Sequence, residues 1–403
     1  MQKMPTIKEL PAITGKKILV RTDFNVPLSN GQVTDTTRIT RACATLKKLA
    51  DQKAKVIILS HLGRPDGKVT PAYSLRQVLP ALEKALTGYK VFFAEDCVGS
   101  IAQDKMRQLQ QGQILLLENV RFHIGEENND EVFAQKLSQG GDFYVNDAFS
   151  CSHRAHASID KITHFLPSFA GLLMAEEVAA LDHILSTPKR PLTAIVGGAK
   201  ISTKLDLLQN LLSKVDHLVI GGAMANTFLQ AQGCQVGKSL TEPSMLKTAT
   251  HITELAKKSK KSLLLPVDAV VAEALQANVV TRTVTLKEIG VKEMILDIGP
   301  KTVQLIRDTV KNSKSVVWNG PLGAFETPPF DQGTKEVAAM IASATQQKNL
   351  VSVAGGGDTV SALIQAGVEE KLSYVSSAGG AFLEWLEGKT LPGIQALLNP
   401  QHL

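Results

Sequence analysis

Apolar runs along this chain are short, and the residues that end them differ between its two halves. In the first half they end in arginine or histidine: KILVRTDFN (17–25), KVIILSHLGR (55–64), ILLLENVRF (114–122) and DFYVNDAFSCSHR (142–154). In the second half they end in glycine: LTAIVGGAK (192–200), HLVIGGAM (217–224), SVVWNGPLG (315–323) and LVSVAGGGDT (350–359). Continuous apolar runs flanked by helical periodicity predict buried parallel strands. The pattern places strands at 16–21, 55–60, 90–94, 114–118 and 142–147, then at 193–197, 216–220, 262–266, 315–319, 350–354 and 373–376. Helical stretches such as 38–52 separate them, and this alternation predicts an α/β fold with parallel sheets. AGLLMAEEVAALDHILS (170–186) predicts a further helix, stopped near Pro188 and Pro191, as the connector between the halves.

Ligands of open α/β sheets bind beyond the carboxyl ends of the strands. One half therefore offers cationic side chains to an anion, and the other lets a polyphosphate approach bare backbone. That complementarity suggests transfer between two phosphorylated substrates.

With 403 residues the chain exceeds one ordinary core, so two domains of about 150–200 residues are expected. The domains are placed at 1–170 and 188–389, with 171–187 as the linking helix. Cys43, Cys97, Cys151 and Cys234 are widely spaced with no CxxC, which fits a reducing, cytoplasmic setting without disulfides or a zinc motif. No stretch is long and apolar enough for a membrane span, and the start, MQKMPTIKEL, has no signal core.

The net charge of +6 raises the possibility of nucleic acid, but its distribution argues for a pocket. Eight of eleven arginines fall in the first 160 residues, several at strand ends beside His61, His123, His153 and His156. Planar guanidinium forks suit carboxylate and phosphate, so a small acid bearing both would match. Within this set, Asp23 and Asn25 lie one residue apart on an extended segment and could face a ligand together or form an Asx turn. His61 and Arg64 flank Gly63, Arg121 follows a strand, and HRAH (153–156) adds Arg154.

In VGGAKISTKLDLLQNLLSK (196–214) a helix is expected with Ile201, Leu205, Leu208 and Leu212 as its buried stripe. Lys200 and Lys204 then share the adjoining face at the helix start. Cations there oppose the helix dipole and call for a phosphate, unless both simply reach into solvent. AGGGDT (354–359) predicts a second phosphate cradle, with Asp358 suited to Mg²⁺ on nucleotide phosphates. SSAGG (376–380) offers a third helix start. GCQVGKS (233–239) has three residues between its glycines where a Walker loop has four, and no GxGxxG follows the first strand. Neither a P-loop nor a nicotinamide dehydrogenase is indicated.

RTDFNVP, SHLGRP, LLENVRF, NDAF…HRAH, GGAKISTK, GGAMANTF, VGKSL, LDIGP, WNGPLGAFE and AGGGDT occur in the order and spacing of phosphoglycerate kinases, which the chain closely resembles over essentially its whole length. The resemblance implies two Rossmann-like three-layer domains joined by a helix and hinge, with 390–403 packing back on the first. It implies a cytoplasmic, monomeric enzyme with Mg²⁺ and no nucleic-acid or membrane partner. The implied reaction is reversible phosphoryl transfer from 1,3-bisphosphoglycerate to ADP, giving 3-phosphoglycerate and ATP, in line after hinge closure. On the family pattern Asp23, Asn25, Arg38, His61, Leu62, Gly63, Arg64, Arg121 and Arg154 match the acid site. Gly198, Lys200, Lys204, Gly222, Asn319, Glu326, Gly356, Gly357, Asp358 and Thr359 match the nucleotide site, with Glu326 on the ribose and Asp358 at the metal. Arg38, Lys200, Gly357 and Gly380 match the catalytic positions. SSAGG stands where STGGG is usual, and SCSHR where a glycine-containing stretch is usual; neither removes a residue expected to act chemically.

Overall fold

The computed structural model describes residues 4–376 and 378–398. The chain divides into two compact units, Met1–Ala179 with Thr390–Leu403, and Ala180–Lys389, so the division falls inside the helix Leu172–Leu185.

The first unit is built on a six-stranded parallel sheet. From edge to edge its strands are Val91–Ala94, Ile114–Leu117, Lys55–Leu59, Lys17–Arg21, Phe143–Asn146 and Ser168–Ala170. Leu19 registers with Ile57 on one side and Tyr144 on the other. Successive strand residues face opposite sides, and both sides are covered. Ile18, Val20, Val56, Ile58 and Val145 join a core with Ile39, Leu46 and Leu49, whereas Leu19, Ile57, Leu115 and Tyr144 join one with Met106 and Leu137. Two-sided burial explains why the strands read as unbroken apolar runs.

Helix Thr37–Asp51 supplies Ile39, Leu46 and Leu49, and its first turn carries Arg38. Asp35 accepts from the Thr37 amide at 2.8 Å and its hydroxyl at 2.6 Å, and these bonds hold the carboxyl below its usual range. The arrangement fixes where the helix begins, and hence where Arg38 sits. Truncating the fully buried Leu46 to Ala costs about 2–5 kcal/mol.

Strand Ser168–Ala170 is not among the predicted strands, and the helix expected over 170–186 starts at Leu172. The C-terminal helix Pro392–Leu398 belongs to this first unit. Its Gly393 amide donates to the Ser152 carbonyl at 2.9 Å, and Ile394 and Leu397 are buried. Residues 399–403 of the expected return lie outside the described residues, as does Ser377 of SSAGG.

The second unit has a parallel sheet in the order Ser262–Leu264, His217–Ile220, Leu192–Val196, Ser315–Asn319, Val351–Gly355 and Tyr374–Ser376. Trp318, Val316 and Ile195 pack against Val303, Ile306, Val337 and Ile341 from helices Pro300–Asn312 and Gln332–Gln346. An antiparallel sheet of Arg282–Thr285, Asp268–Ala272 and Met294–Ile298 lies beyond what the pattern predicts. Its central strand is covered on both faces, Ala269 and Val271 packing with Val284 and Ile289, and Ala272 with Leu296 and Phe330. Strands of four or five residues are nevertheless too short to stand out in the pattern.

Candidate active site

At the carboxyl end of the first sheet, one series of hydrogen bonds joins most of the predicted acid-site residues. Arg38 Nη1 donates to Asp23 Oδ2 at 2.7 Å and to the Asn25 carbonyl at 3.1 Å. Asn25 Oδ1 accepts from the Gly63 amide at 2.8 Å, and the Gly63 carbonyl accepts from Arg121 Nη1 at 2.9 Å. Gly63 has φ +63°, and a Cβ there would collide with the Tyr73 ring, so glycine alone fits. Leu62 is buried, and its carbonyl accepts from Asn119 Nδ2 at 2.7 Å. Arg64 is exposed at the rim. Arg154 is half-buried, and its Nε lies 3.2 Å from His153 Nε2.

His61 is 4% exposed, with Nδ1 3.2 Å from Arg21 Nη2 and 3.9 Å from Asp23 Oδ1. Burial and the charges of Arg21, Arg121 and Arg38 push its pKa well below 6.5, so the ring is neutral. A guanidinium only donates, so Nδ1 holds the lone pair and Nε2 carries the proton. Burial first, then Arg121, Arg21 and Arg154, likewise lower His156 to about 3. Arg121 is itself shifted down by burial, with Arg21 and Arg154 adding to the effect of burial and Glu127 opposing it. Its Nε is buried without a hydrogen-bond partner, although Glu127 Oε1 lies 3.4 Å away. Guanidinium groups that lower the pKa values of Arg121 and the neighbouring imidazoles form a positive field suited to a polyanion.

Three contributors escape the sequence reading. Arg21 is fully buried, its Nε donating to Ser158 Oγ at 2.8 Å. Ser150 donates to Asp23. Glu126, fully buried, accepts from the Ser158 amide at 2.9 Å and hydroxyl at 2.6 Å. Glu126 sits in the polar stretch GEEN, which gives no sign of burial; the position of Arg21 on a strand was the available signal.

The second unit uses backbone where the first uses side chains. Lys204 Nζ donates to the Gly197 carbonyl and to Asn319 Oδ1, both at 2.6 Å. Burial lowers its pKa to about 8, against the raising influence of Asp358. Asn319 Nδ2 donates to the Gly355 carbonyl at 2.8 Å, and Thr359 Oγ1 accepts from the Gly320 amide at 2.7 Å. Asn319 and Thr359 are buried and brace the glycine turns. Gly356 caps helix Gly357–Gln365 with φ +97°, and a Cβ there would lie 2.5 Å from Asn319 Nδ2.

The helix after the first glycine turn begins later than the pattern predicts, at Leu205, with Lys204 as its N-cap. Lys200 is exposed in the preceding turn, so the two lysines do not share a helix face. The buried stripe is Leu207, Leu208, Leu211 and Leu212; Ile201 is buried outside the helix and Leu205 is half-buried. The Glu242 carboxylate explains the delay, since it accepts from the amides of Ile201 and Ser202 and the Ser202 hydroxyl, which holds this segment as a turn.

A cavity of about 520 Å³ opens beside these turns, lined by Gly198, Gly222, Leu322, Phe325, Glu326 and Asp358 among others. Glu326 and Asp358 are exposed at it. Asp297, also in the lining, is 2% exposed and accepts from the Gly333 and Ile298 amides at 2.8 Å. Burial, with Asp331 and Glu336 adding to it, raises its pKa to about 7. Gly357 faces open space, and Gly380 lies exposed in the first turn of helix Gly379–Leu386. Lys200 and Gly380 are not in the cavity lining.

Comparison with known proteins agrees with this arrangement. The family model for phosphoglycerate kinase matches residues 7–389. The phosphoglycerate kinase of Rhodospirillum centenum is 55% identical over 96% of this chain and 97% of its own length, and that of Rhizobium meliloti 52% over 97% and 98%. The solved phosphoglycerate kinase of Coxiella burnetii superposes with a TM-score of 0.90 at 41% identity, covering 98% of this chain and 99% of that one. That of Pyrococcus horikoshii OT3 gives 0.81 at 28% identity, covering 98% of each. An arginine cradle on one sheet, braced glycine turns on another and full-length similarity at this level together place the chain in the phosphoglycerate kinase family.

Proposed function

We propose that the chain reversibly transfers a phosphoryl group from 1,3-bisphosphoglycerate to ADP, giving 3-phosphoglycerate and ATP, with the acid held by the first unit and the nucleotide by the second. The observation that carries the reading is the gathering of Arg21, Arg38, Arg121 and Arg154 around His61 and His156, whose pKa values burial and these arginines lower, a field that an acid with phosphate and carboxylate groups neutralises. Arg64, Arg121 and Arg154 bind the acid's anionic groups by charge-assisted hydrogen bonds. His61 donates from Nε2–H, and Asp23 and Asn25 meet the acid's hydroxyl. Leu62 and Gly63 set the height of this floor.

On the other unit, Gly198, Gly222 and the apolar cavity wall receive the base, and Glu326 meets the ribose. Lys204, Asn319, Gly356 and Thr359 hold the turns in shape. The residues there fit a metal: Asp358 is an exposed carboxylate at a helix start, beside the open space before Gly357. Asp358 would hold Mg²⁺, which when bound neutralises charge on the nucleotide's phosphate oxygens. Transfer requires reacting atoms to meet at about 3–3.5 Å, so ligands held on separate units must be brought together by hinge closure. Arg38 and Lys200 then supply charge to the moving phosphoryl group, and the Gly357 and Gly380 amides supply fixed donors.

No helix among the described residues is long and apolar enough to cross a membrane, and the cysteines are free thiols. We take the enzyme to work as a monomer in the cytoplasm. A coupled assay with 3-phosphoglycerate and MgATP tests the reading. Turnover lost on omitting either substrate or Mg²⁺ is expected; turnover that survives omission of 3-phosphoglycerate would overturn it.

A further inference from the structure

Two groups of side chains in the first unit have the same three kinds of donor, a carboxylate, an imidazole and a thiol, within 4.8 Å of one another. One is Asp23, His61 and Cys151; the other is Asp96, Cys97 and His123. Such a donor set matches a zinc site with three protein ligands and one open position. Their surroundings separate the two. In the first group Asp23 is paired with Arg38 at 2.7 Å and His61 faces Arg21 at 3.2 Å, so a dication would enter a field of guanidinium groups. In the second, the charges acting on the Cys97 thiol are Asp96, Glu126 and Glu118, all acids.

We propose that Asp96, Cys97 and His123 form a binding site for a thiophilic divalent cation, zinc above all, separate from the acid and nucleotide sites. The groups are already posed for it. Asp96 Oδ1 is fixed by the Cys97 amide at 2.6 Å and the Val98 amide at 3.3 Å. The His123 ring stacks on Phe133 with centroids 5.1 Å apart, which sets its orientation. His123 Nε2 lies 2.7 Å from Asp96 Oδ1. A zinc ion about 2.0–2.1 Å from each in tetrahedral geometry spreads that pair to about 3.3 Å, a shift of well under an ångström. The bridging ring proton moves to Nδ1, the Cys97 thiol proton leaves to solvent, and water takes the fourth position. Asp96 and His123 are each about one-third exposed, so the ion has a path in, whereas Cys97 is buried beneath them. Because Asp96 follows strand Val91–Ala94 and His123 caps the turn Val120–Phe122, an ion there clamps the strand end to the turn carrying Arg121.

Metal-stripped full-length protein is titrated with Zn²⁺ against a chromophoric chelator, and with Co²⁺ to read tetrahedral d–d bands and a thiolate charge-transfer band. One equivalent should bind, with a rise in Tm. His123→Ala and Cys97→Ser should each weaken binding by at least about tenfold, the range seen even when only supporting groups are removed. Cys151→Ser should leave it unchanged. His123 is partly exposed, so its variant keeps the test valid if Cys97→Ser fails to fold. Absence of stoichiometric binding, binding that survives His123→Ala, or binding lost with Cys151→Ser would each overturn the proposal.

Discussion

The acid site and the nucleotide site solve anion recognition in opposite ways. In the first unit the recognising groups are side chains, fixed by one another and by one glycine's backbone: Arg38 bonds to Asp23, Asn25 to the Gly63 amide, and Arg121 to the Gly63 carbonyl. In the second, Lys204, Asn319 and Thr359 bond to backbone and hold glycine turns open, leaving the turns as the surface. A side-chain cradle is vulnerable to truncation at its rim. A backbone cradle is vulnerable at its braces, where the loss appears as instability as well as weaker binding. The exceptions should be the charges that act on the moving group, since these matter in either design.

The largest effect is therefore expected for Lys200→Ala and Arg38→Ala. Removing one preorganised donor at a charge-developing centre costs on the order of 10²–10³ in kcat. Lys200 is exposed and Arg38 is about one-third exposed, so neither change empties the core. Kinetics should be paired with direct binding titrations. Near-normal kcat with weakened binding would reduce that residue to positioning and blur the distinction between rim and centre.

Lys204→Ala tests the brace. It removes the donor to two acceptors, the Gly197 carbonyl and Asn319 Oδ1, and leaving buried acceptors unpaired costs about 1–3 kcal/mol. Chemical denaturation should show that loss, whereas Arg64→Ala at the exposed rim of the acid site should weaken acid binding with stability changed by no more than about 0.5 kcal/mol. Equal stability losses in the two variants would remove the difference between the cradles.

The parts of this architecture legible in the sequence are those where one physical cause dominates. Strands buried on both faces write themselves as apolar runs, and glycine pairs mark where backbone must come close. The antiparallel sheet was hidden because strands of four or five residues are too short to leave a clear pattern. The late start of helix Leu205–Lys214 was hidden because its cause, Glu242, lies about forty residues away in sequence. Glu126 was hidden for a similar reason: its partner Ser158 is 32 residues distant. Side-chain networks between loops are tertiary facts, and local propensity carries no trace of them. The family resemblance named residues such as Glu326, which the residue pattern alone did not single out.

A smaller effect is expected for Asp358→Asn, an exposed group that braces nothing. Nucleotide affinity should lose its Mg²⁺ dependence by about tenfold, the loss of roughly one charged ligand, while 3-phosphoglycerate affinity stays unchanged. Isothermal titration with and without Mg²⁺ reads both. Unaltered Mg²⁺ dependence would remove the carboxylate from the metal's surroundings.

The smallest effect, and the one that reads each unit separately, is the slope of stability with pH. His156 in the first unit is held to about 3 by burial and arginines, far below its unfolded value near 6.5. Between those values the unfolded chain binds the extra proton, so the first unit loses stability as pH falls below about 6.5. Asp147 in the same unit, raised to about 6 by burial, works in the opposite sense between about pH 4 and 6 and flattens the slope there. In the second unit Asp297 is raised to about 7, so the folded state is the one that binds the extra proton between about pH 4 and 7. Stability contributed there is present below about pH 4 and lost as pH rises through 7. The full shift would give 1.36 kcal/mol per pKa unit, but relaxation around the carboxyl should leave about 1 kcal/mol between pH 5.5 and pH 8. Asp297→Asn should flatten the second unit's slope without touching the first, and His156→Gln should do the reverse. Hydrogen exchange at amides of strands Leu192–Val196 and Lys17–Arg21 reports the two units side by side in one molecule. If Asp297→Asn changed protection equally in both strands, the units would unfold as one body, and the contrast between their sites would stop at binding.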